Sequence, residues 1–217
     1  MIMISEIVQR NMVLNQLCTN KLISQKYIDA ISKVPREKLL PELFMSVAYS
    51  DNHLQIAEQV YQASPLLFAK ILLALDLKPS EKVLEIGSGA GINSIILAHI
   101  VAHIDSLSSN AHYIHKANRF LHKNNITNCH FITSVDLDNK YDVIIVNGYV
   151  ECEVIEKLSR FLEPNGKMVV FNIMPNQKQV LDYLPLCEMN IVVKSYLNFS
   201  TQFIERINIF PVERVNI

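Results

Sequence analysis

The sequence predicts an α/β fold: a doubly wound, mostly parallel sheet with an antiparallel C-terminal edge, preceded by a helical extension. Three observations carry this reading. From residue 80 onward, short β-branched and apolar runs alternate with helix-period segments, the pattern of βαβ units with right-handed crossovers. The first of these runs ends in a glycine-rich turn, Gly87-Ser88-Gly89-Ala90-Gly91. The last two, Ile191–Leu197 and Gln202–Phe210, follow one another with no helix between them. They read as an antiparallel pair on the sheet edge.

Residues 1–75 read as a helical extension packed on a core of residues 76–217. Ile4, Ile7, Val8, Met12 and Leu14 keep helical spacing over Ile4–Leu17. Ser24 opens a second helix that Pro35 stops. Pro65 opens a helix through Leu75, since a first-turn proline loses no internal hydrogen bond. The stripe Leu66, Ala69, Leu73 and Ala74 would face the sheet. In the core, strands are expected at Lys82–Ile86, Ile104–Leu107, Cys129–Thr133, Tyr141–Val146 and Lys167–Asn172. Helices are expected at Gly91–His103, Ala111–Asn124 and Glu151–Leu162. Tyr141–Val146 is apolar on both faces, as a central parallel strand should be.

Composition bounds the function. A chain of 217 residues, 50% hydrophobic and 19% charged, suits one folded unit. A net charge of −1 offers no broad basic surface for nucleic acid or an anionic membrane. Ile92–Ile104 is too short to span a bilayer. The N-terminus lacks the regions of a signal peptide. Cys18, Cys129, Cys152 and Cys187 form no Cys-x-x-Cys pair. A cytoplasmic monomer with reduced thiols is expected. His99 and His103, and His112 and His115, have helical spacing, but no His-Glu-x-x-His motif accompanies them, so no metal is expected.

The glycine turn carries the chemistry. Three of the chain's five glycines lie within it, where open parallel sheets bind ligands. A dinucleotide fingerprint wants Gly or Ala at the position held by Ile92. Glu85, just before the turn, would oppose a pyrophosphate. It suits a cation, and S-adenosylmethionine (SAM) carries a sulfonium and an ammonium. The expected holders are Glu85, Ile86, Gly87, Ser88, Gly89 and Gly91. The alternative is a tight strand-to-helix connection with no ligand.

Longer motifs extend the reading. Asn11-Met12-Val13, Gln16-Leu17, Val34-Pro35-Arg36-Glu37, Pro41 and Ala48-Tyr49-Ser50-Asp51 lie in the lead-in. Leu77-Lys78-Pro79, Val83–Gly91, Tyr141–Val146 and Leu162–Lys167 lie in the core. Together they resemble the protein-L-isoaspartate O-methyltransferase family, as a divergent bacterial-type member. The resemblance implies a Rossmann-like SAM-dependent methyltransferase fold. It also implies methylation of isoaspartyl carboxylates in damaged proteins, and so protein repair with isoaspartyl proteins or peptides as substrates.

Three departures mark this chain. Ala63 stands where the family's substrate loop has a hydroxyl. Ser64, one residue later, is the candidate replacement and so the candidate catalytic residue; otherwise it caps the following helix. Ser108 stands where an acid would hold the cofactor ribose, with Asp105 earlier in the strand. Asp136 follows the third strand without the family's flanking glycines. Asn147 is expected at the crevice, and Tyr61 in the substrate loop. These departures leave two rivals open: a non-catalytic SAM-fold binding module, or a SAM enzyme with another substrate.

Overall fold

The computed structural model describes residues 4–20, 24–174, 184–195 and 198–213. The lead-in contains α1 (Ile4–Met12), running on as a π turn, then α2 (Gln25–Ser32) and α3 (Arg36–Leu39). A two-stranded hairpin follows, β1 (Leu54–Ala57) and β2 (Val60–Gln62). An all-helical extension is therefore corrected. Leu54 and Ile56 are buried while Gln55 is exposed, a strand period of two inside a region read for a helical one. Then comes α4 (Pro65–Leu75), whose buried face is Leu67, Phe68, Ile71, Leu72 and Leu75. Of the expected stripe, Ala69 is buried and Leu66 and Ala74 are partly buried against the core, while Leu73 is 40% exposed. Both faces of this segment are apolar, and periodicity alone selects neither.

The core elements are β3 (Lys82–Ile86), α5 (Ile92–Leu97), β4 (His103–Leu107), α6 (Ala111–Lys123), β5 (Cys129–Ile132), β6 (Tyr141–Tyr149) and α7 (Cys152–Ser159). They are followed by β7 (Leu162–Ile173), β8 (Leu186–Lys194) and β9 (Phe199–Asn208). The sheet order is β5-β4-β3-β6-β7-β8-β9. The pairs from β5 through β7 are parallel, and β8 and β9 join antiparallel. The expected edge strand reaching Leu197 ends at Lys194, and Leu197 lies outside the described residues. The helix expected over Gly91–His103 ends at Leu97, and His103 opens β4 instead.

Both sheet faces are buried, as double winding requires. Val83, Ile104, Val143 and Val169 pack in one cluster with the lead-in, α4 and α5. Leu84, Leu107, Ile144 and Met168 pack in a second, with Leu158 and Phe161 beneath them. The period of two along each strand sorts neighbours onto opposite faces. Strand order reverses between β4 and β6, on either side of β3. The glycine turn sits at the carboxyl end of β3, at this switch point, where such sheets form a ligand crevice.

Candidate active site

The lead-in motifs form one buried clamp. Arg36 is 2% exposed, and its guanidinium donates to the carbonyls of Ala48 at 2.8 Å and Ala63 at 3.0 Å. Burial pushes its pKa down to about 10. Glu37 accepts the Tyr49 hydroxyl beside it. The Val-Pro-Arg-Glu and Ala-Tyr-Ser-Asp segments thus fix the loop that carries Ala63. Gln62 continues the chain of contacts: its amide donates to Asn93 Oδ1 at 3.3 Å, and its Oε1 accepts Ala90 N–H at 3.3 Å. The hairpin is thereby tied to the glycine turn.

Packing at the turn is dictated by the protein's own atoms. A Cβ on Gly89 would lie 2.3 Å from the Tyr61 carbonyl oxygen, and Gly89 has φ +57°. The residue is required by the hairpin backbone. A valine at Gly89 would dislocate the turn whether or not a cofactor binds there. Gly91 forms the N-terminal boundary of α5 and lies against Ala117 and Phe131. Ile86 is buried within β3.

Below the turn, Glu85 is fully buried. Asn147 Nδ2 donates to its Oε1 at 2.6 Å, and the hydroxyls of Ser94 and Ser106 donate to its Oε2. Burial pushes its pKa up to about 7 against the opposing pull of these donors, and the Glu213 carboxylate pushes the same way. Two polar atoms here have no protein partner: the Ser88 hydroxyl and Asn147 Oδ1. Their residues are 2% and 4% exposed. Buried polar atoms without partners are uncommon and mark a place for a ligand or water. A buried acid, a glycine turn and two orphaned oxygens suit a cationic cofactor with polar ends.

Ser108 lies at the end of β4, and an acid does meet it there. Glu213 comes from the far end of the chain. Ser108 Oγ donates to it at 3.0 Å, Ser109 N–H at 2.7 Å and Ser109 Oγ at 2.6 Å. Glu213 is 4% exposed. Residues 209–213 form a strap across the crevice: Pro211 bridges Tyr149 in parallel, and Val212 N–H donates to Tyr149 O at 3.1 Å. A Cβ on Gly148 (φ +148°) would meet Val212 N at 2.5 Å, and one on Gly87 would meet Val212 Cγ2 at 3.0 Å. Sequence reasoning missed Glu213 because 105 residues separate it from Ser108. The only signal was a Pro-Val-Glu run after the last strand.

The remaining candidates fall as follows. Ser64 is the N-cap of α4, its Oγ accepting Leu67 N–H at 3.2 Å. Its own N–H donates to His53 Nδ1 at 3.2 Å, so the ring proton sits on Nε2, facing the Asn208 carbonyl. Tyr61 stacks on Phe210 with centroids 4.7 Å apart, and His53 meets the same ring edge-on at 5.2 Å. Asp136 is exposed, and its carboxylate accepts Asp138 N–H in a local turn. It does not join the cluster of Glu85, Asn147, Ser88 and Ser108. His103, Asp105 and His130 converge at the amino ends of β4 and β5, away from the turn. There Asp105 already accepts the Tyr141 hydroxyl at 2.8 Å.

Comparison with known proteins decides the lineage. The model of the Protein-L-isoaspartate(D-aspartate) O-methyltransferase family matches residues 8–204. The chain belongs to the protein-L-isoaspartate O-methyltransferase family. Family relatives bear the same name. The enzyme of Vibrio campbellii is 33% identical over 159 residues, 71% of this chain and 76% of its own length. That of Vibrio vulnificus is 29% identical over 94% of this chain and 95% of its own. The match to the Klebsiella pneumoniae enzyme is 38% identical but spans 46% of that protein's length. A solved protein-L-isoaspartate O-methyltransferase superposes with a TM-score of 0.74 at 20% identity, covering 96% of this chain and 66% of the other. A Plasmodium falciparum structure described as a complex with S-adenosyl-L-homocysteine gives 0.71 at 16% identity, over 94% and 97%. At such identities these superpositions establish the shared fold.

Proposed function

We propose that this chain is a SAM-dependent protein carboxyl methyltransferase that acts on isoaspartyl residues. The observation that carries the reading is the joined architecture. The Arg36 clamp, the hairpin and the glycine turn form one hydrogen-bonded unit, ending at a switch-point crevice with a buried acid. SAM, when bound, supplies a methyl group made electrophilic by its sulfonium.

The chain's own residues have a limited task, because a carboxylate is already a nucleophile at neutral pH. Glu85 provides a buried carboxyl group under the turn, and Ser88 and Asn147 provide the two open hydrogen-bonding atoms. Arg36 and Gln62 hold the loop at residues 61–63, so that substrate is positioned rather than activated. The Tyr61–Phe210 stack adds an apolar wall that excludes water. Ala63 offers no hydroxyl, and Ser64 Oγ serves the helix cap, which supports slow turnover. The protein acts as a monomer in the cytoplasm, on isoaspartyl sites of other proteins, without nucleic acid or membrane. No described helix is long and apolar enough to cross a bilayer.

The test is transfer of labelled methyl from SAM to an isoaspartyl peptide and to its aspartyl isomer. Base-labile label on the first alone is expected. Label on both, or on neither at high enzyme concentration, contradicts the reading.

A further inference from the structure

The amino ends of β4 and β5 bring two imidazoles and a carboxylate together. His103 and Asp105 lie two apart on β4 and so project to the same sheet face. The parallel register sets His130 of β5 directly opposite Asp105. Asp105 Oδ1 lies 3.0 Å from His103 Nε2 and 3.9 Å from His130 Nδ1. One ligand atom from each residue falls within 4.8 Å of the other two. A tetrahedral ion with bonds of about 2.0–2.1 Å separates its ligand atoms by roughly 3.3 Å. The two distances to Asp105 straddle that value, and the exposed His130 ring is free to turn inward. We propose that His103, Asp105 and His130 form a binding site for a divalent transition-metal ion of the zinc class. In the sequence His103 pairs with His99 at helical spacing, but in the fold it opens β4. A His-Glu-x-x-His motif belongs to helices, so its absence does not bear on a site built from strands.

The buried side of the cluster is organised for such an ion. The Tyr141 hydroxyl donates to Asp105 Oδ2 at 2.8 Å, which orients the carboxylate and leaves Oδ1 to face the imidazoles. Outer partners of this kind hold metal ligands in place. Two imidazoles with one carboxylate select zinc and its neighbours over magnesium and calcium, which take oxygen ligands. Lys82 works against binding. Its ammonium lies 3.8 Å from Asp105 Oδ2 and over the Tyr141 ring at 4.6 Å, where it repels an entering cation. Both histidines reach solvent, so the remaining position on the ion is open to water, as in three-ligand sites. An ion here ties β5, the edge strand, to β4. The cluster lies at the opposite end of β4 from Ser108, and its ligands take no part in the cofactor crevice.

The test titrates full-length protein, stripped with a chelator, with zinc chloride in a calorimeter. One ion per chain is expected to bind, with a rise in melting temperature. His130→Ala alters an exposed position and should weaken binding about 100-fold or more, since losing even an outer partner costs roughly 10- to 100-fold. Its melting temperature in chelator should match the wild type. Lys82→Met should tighten binding several-fold, a response that zinc held at any other surface position would not give. His112→Ala, at an exposed position on α6, should leave binding unchanged. No binding at about 0.1 mM free zinc overturns the site. So does binding that survives His130→Ala, binding indifferent to Lys82→Met, binding lost with His112→Ala, or magnesium bound as tightly as zinc.

Discussion

Burial of the Glu85 carboxyl gives this site a pH response. Glu85 has a folded pKa of about 7, above the value near 4.3 of an unfolded glutamate. Between those values the folded state binds the proton that the unfolded state has released. Stability therefore falls as pH rises from about 4.5 through 7. The whole effect is up to about 3 kcal/mol. Glu85→Gln should remove most of that fall, seen as similar urea midpoints at pH 5 and pH 8 where the wild type drops; an equally steep drop in the variant would place its origin elsewhere. Gly89 carries the second prediction at this scale. Gly89→Ala forces a Cβ toward the Tyr61 carbonyl and should cost about 2 kcal/mol or more without any ligand present. Thermal melting of the cofactor-free protein checks it, and an unchanged melting temperature would mean the turn is free to open. Glu85 was legible in the sequence as a special residue because it precedes the turn. Its three donors were not, since they come from α5, β4 and β6.

At the scale of elements, the lead-in and its clamp decide how the substrate loop is held. Arg36→Met keeps the apolar stem but leaves the carbonyls of Ala48 and Ala63 without their buried donor. It should cost about 3 kcal/mol, measured by chemical denaturation, and should raise the KM for peptide more than the affinity for cofactor changes. Equal effects on both would show that the clamp supports the whole crevice instead. Ser64→Ala loses a helix cap, roughly 1 kcal/mol, and should leave methyl transfer within about twofold. A far larger loss of rate would make Ser64 the hydroxyl that orients the substrate. The strands of the core were legible because β-branched runs alternate with helical segments and stop at glycines. The hairpin at Leu54–Gln62 was hidden, because each strand is short and lies between helices. The short α5 was also misjudged: the apolar run continues past Leu97 into turns, where Ile100 and Val101 are buried too, so hydrophobicity does not mark where the helix ends.

For the whole molecule, sheet topology brings together residues far apart in sequence. The antiparallel pair β8 and β9 forms the sheet edge beyond β7, and the segment after β9 returns to the end of β6, where Pro211 bridges Tyr149 in parallel. This path delivers Glu213 to Ser108. Sequence patterns reveal local periods and turns, and the family motifs reveal the site's glycine-rich half. They carry no signal for a contact closed over such a loop. Ser108 itself carries no acid, and Glu213 reaches it from the C-terminal side. A chain of the methyltransferase family thus carries a switch-point crevice with a buried acid beneath its glycine turn. A crystal structure of the protein grown with S-adenosylhomocysteine tests this most directly. The expected result is a cofactor over the glycine turn, with its ribose at the end of β4 near Ser108 and its amino-acid end near Ser88 and Asn147. A cofactor bound elsewhere would contradict it.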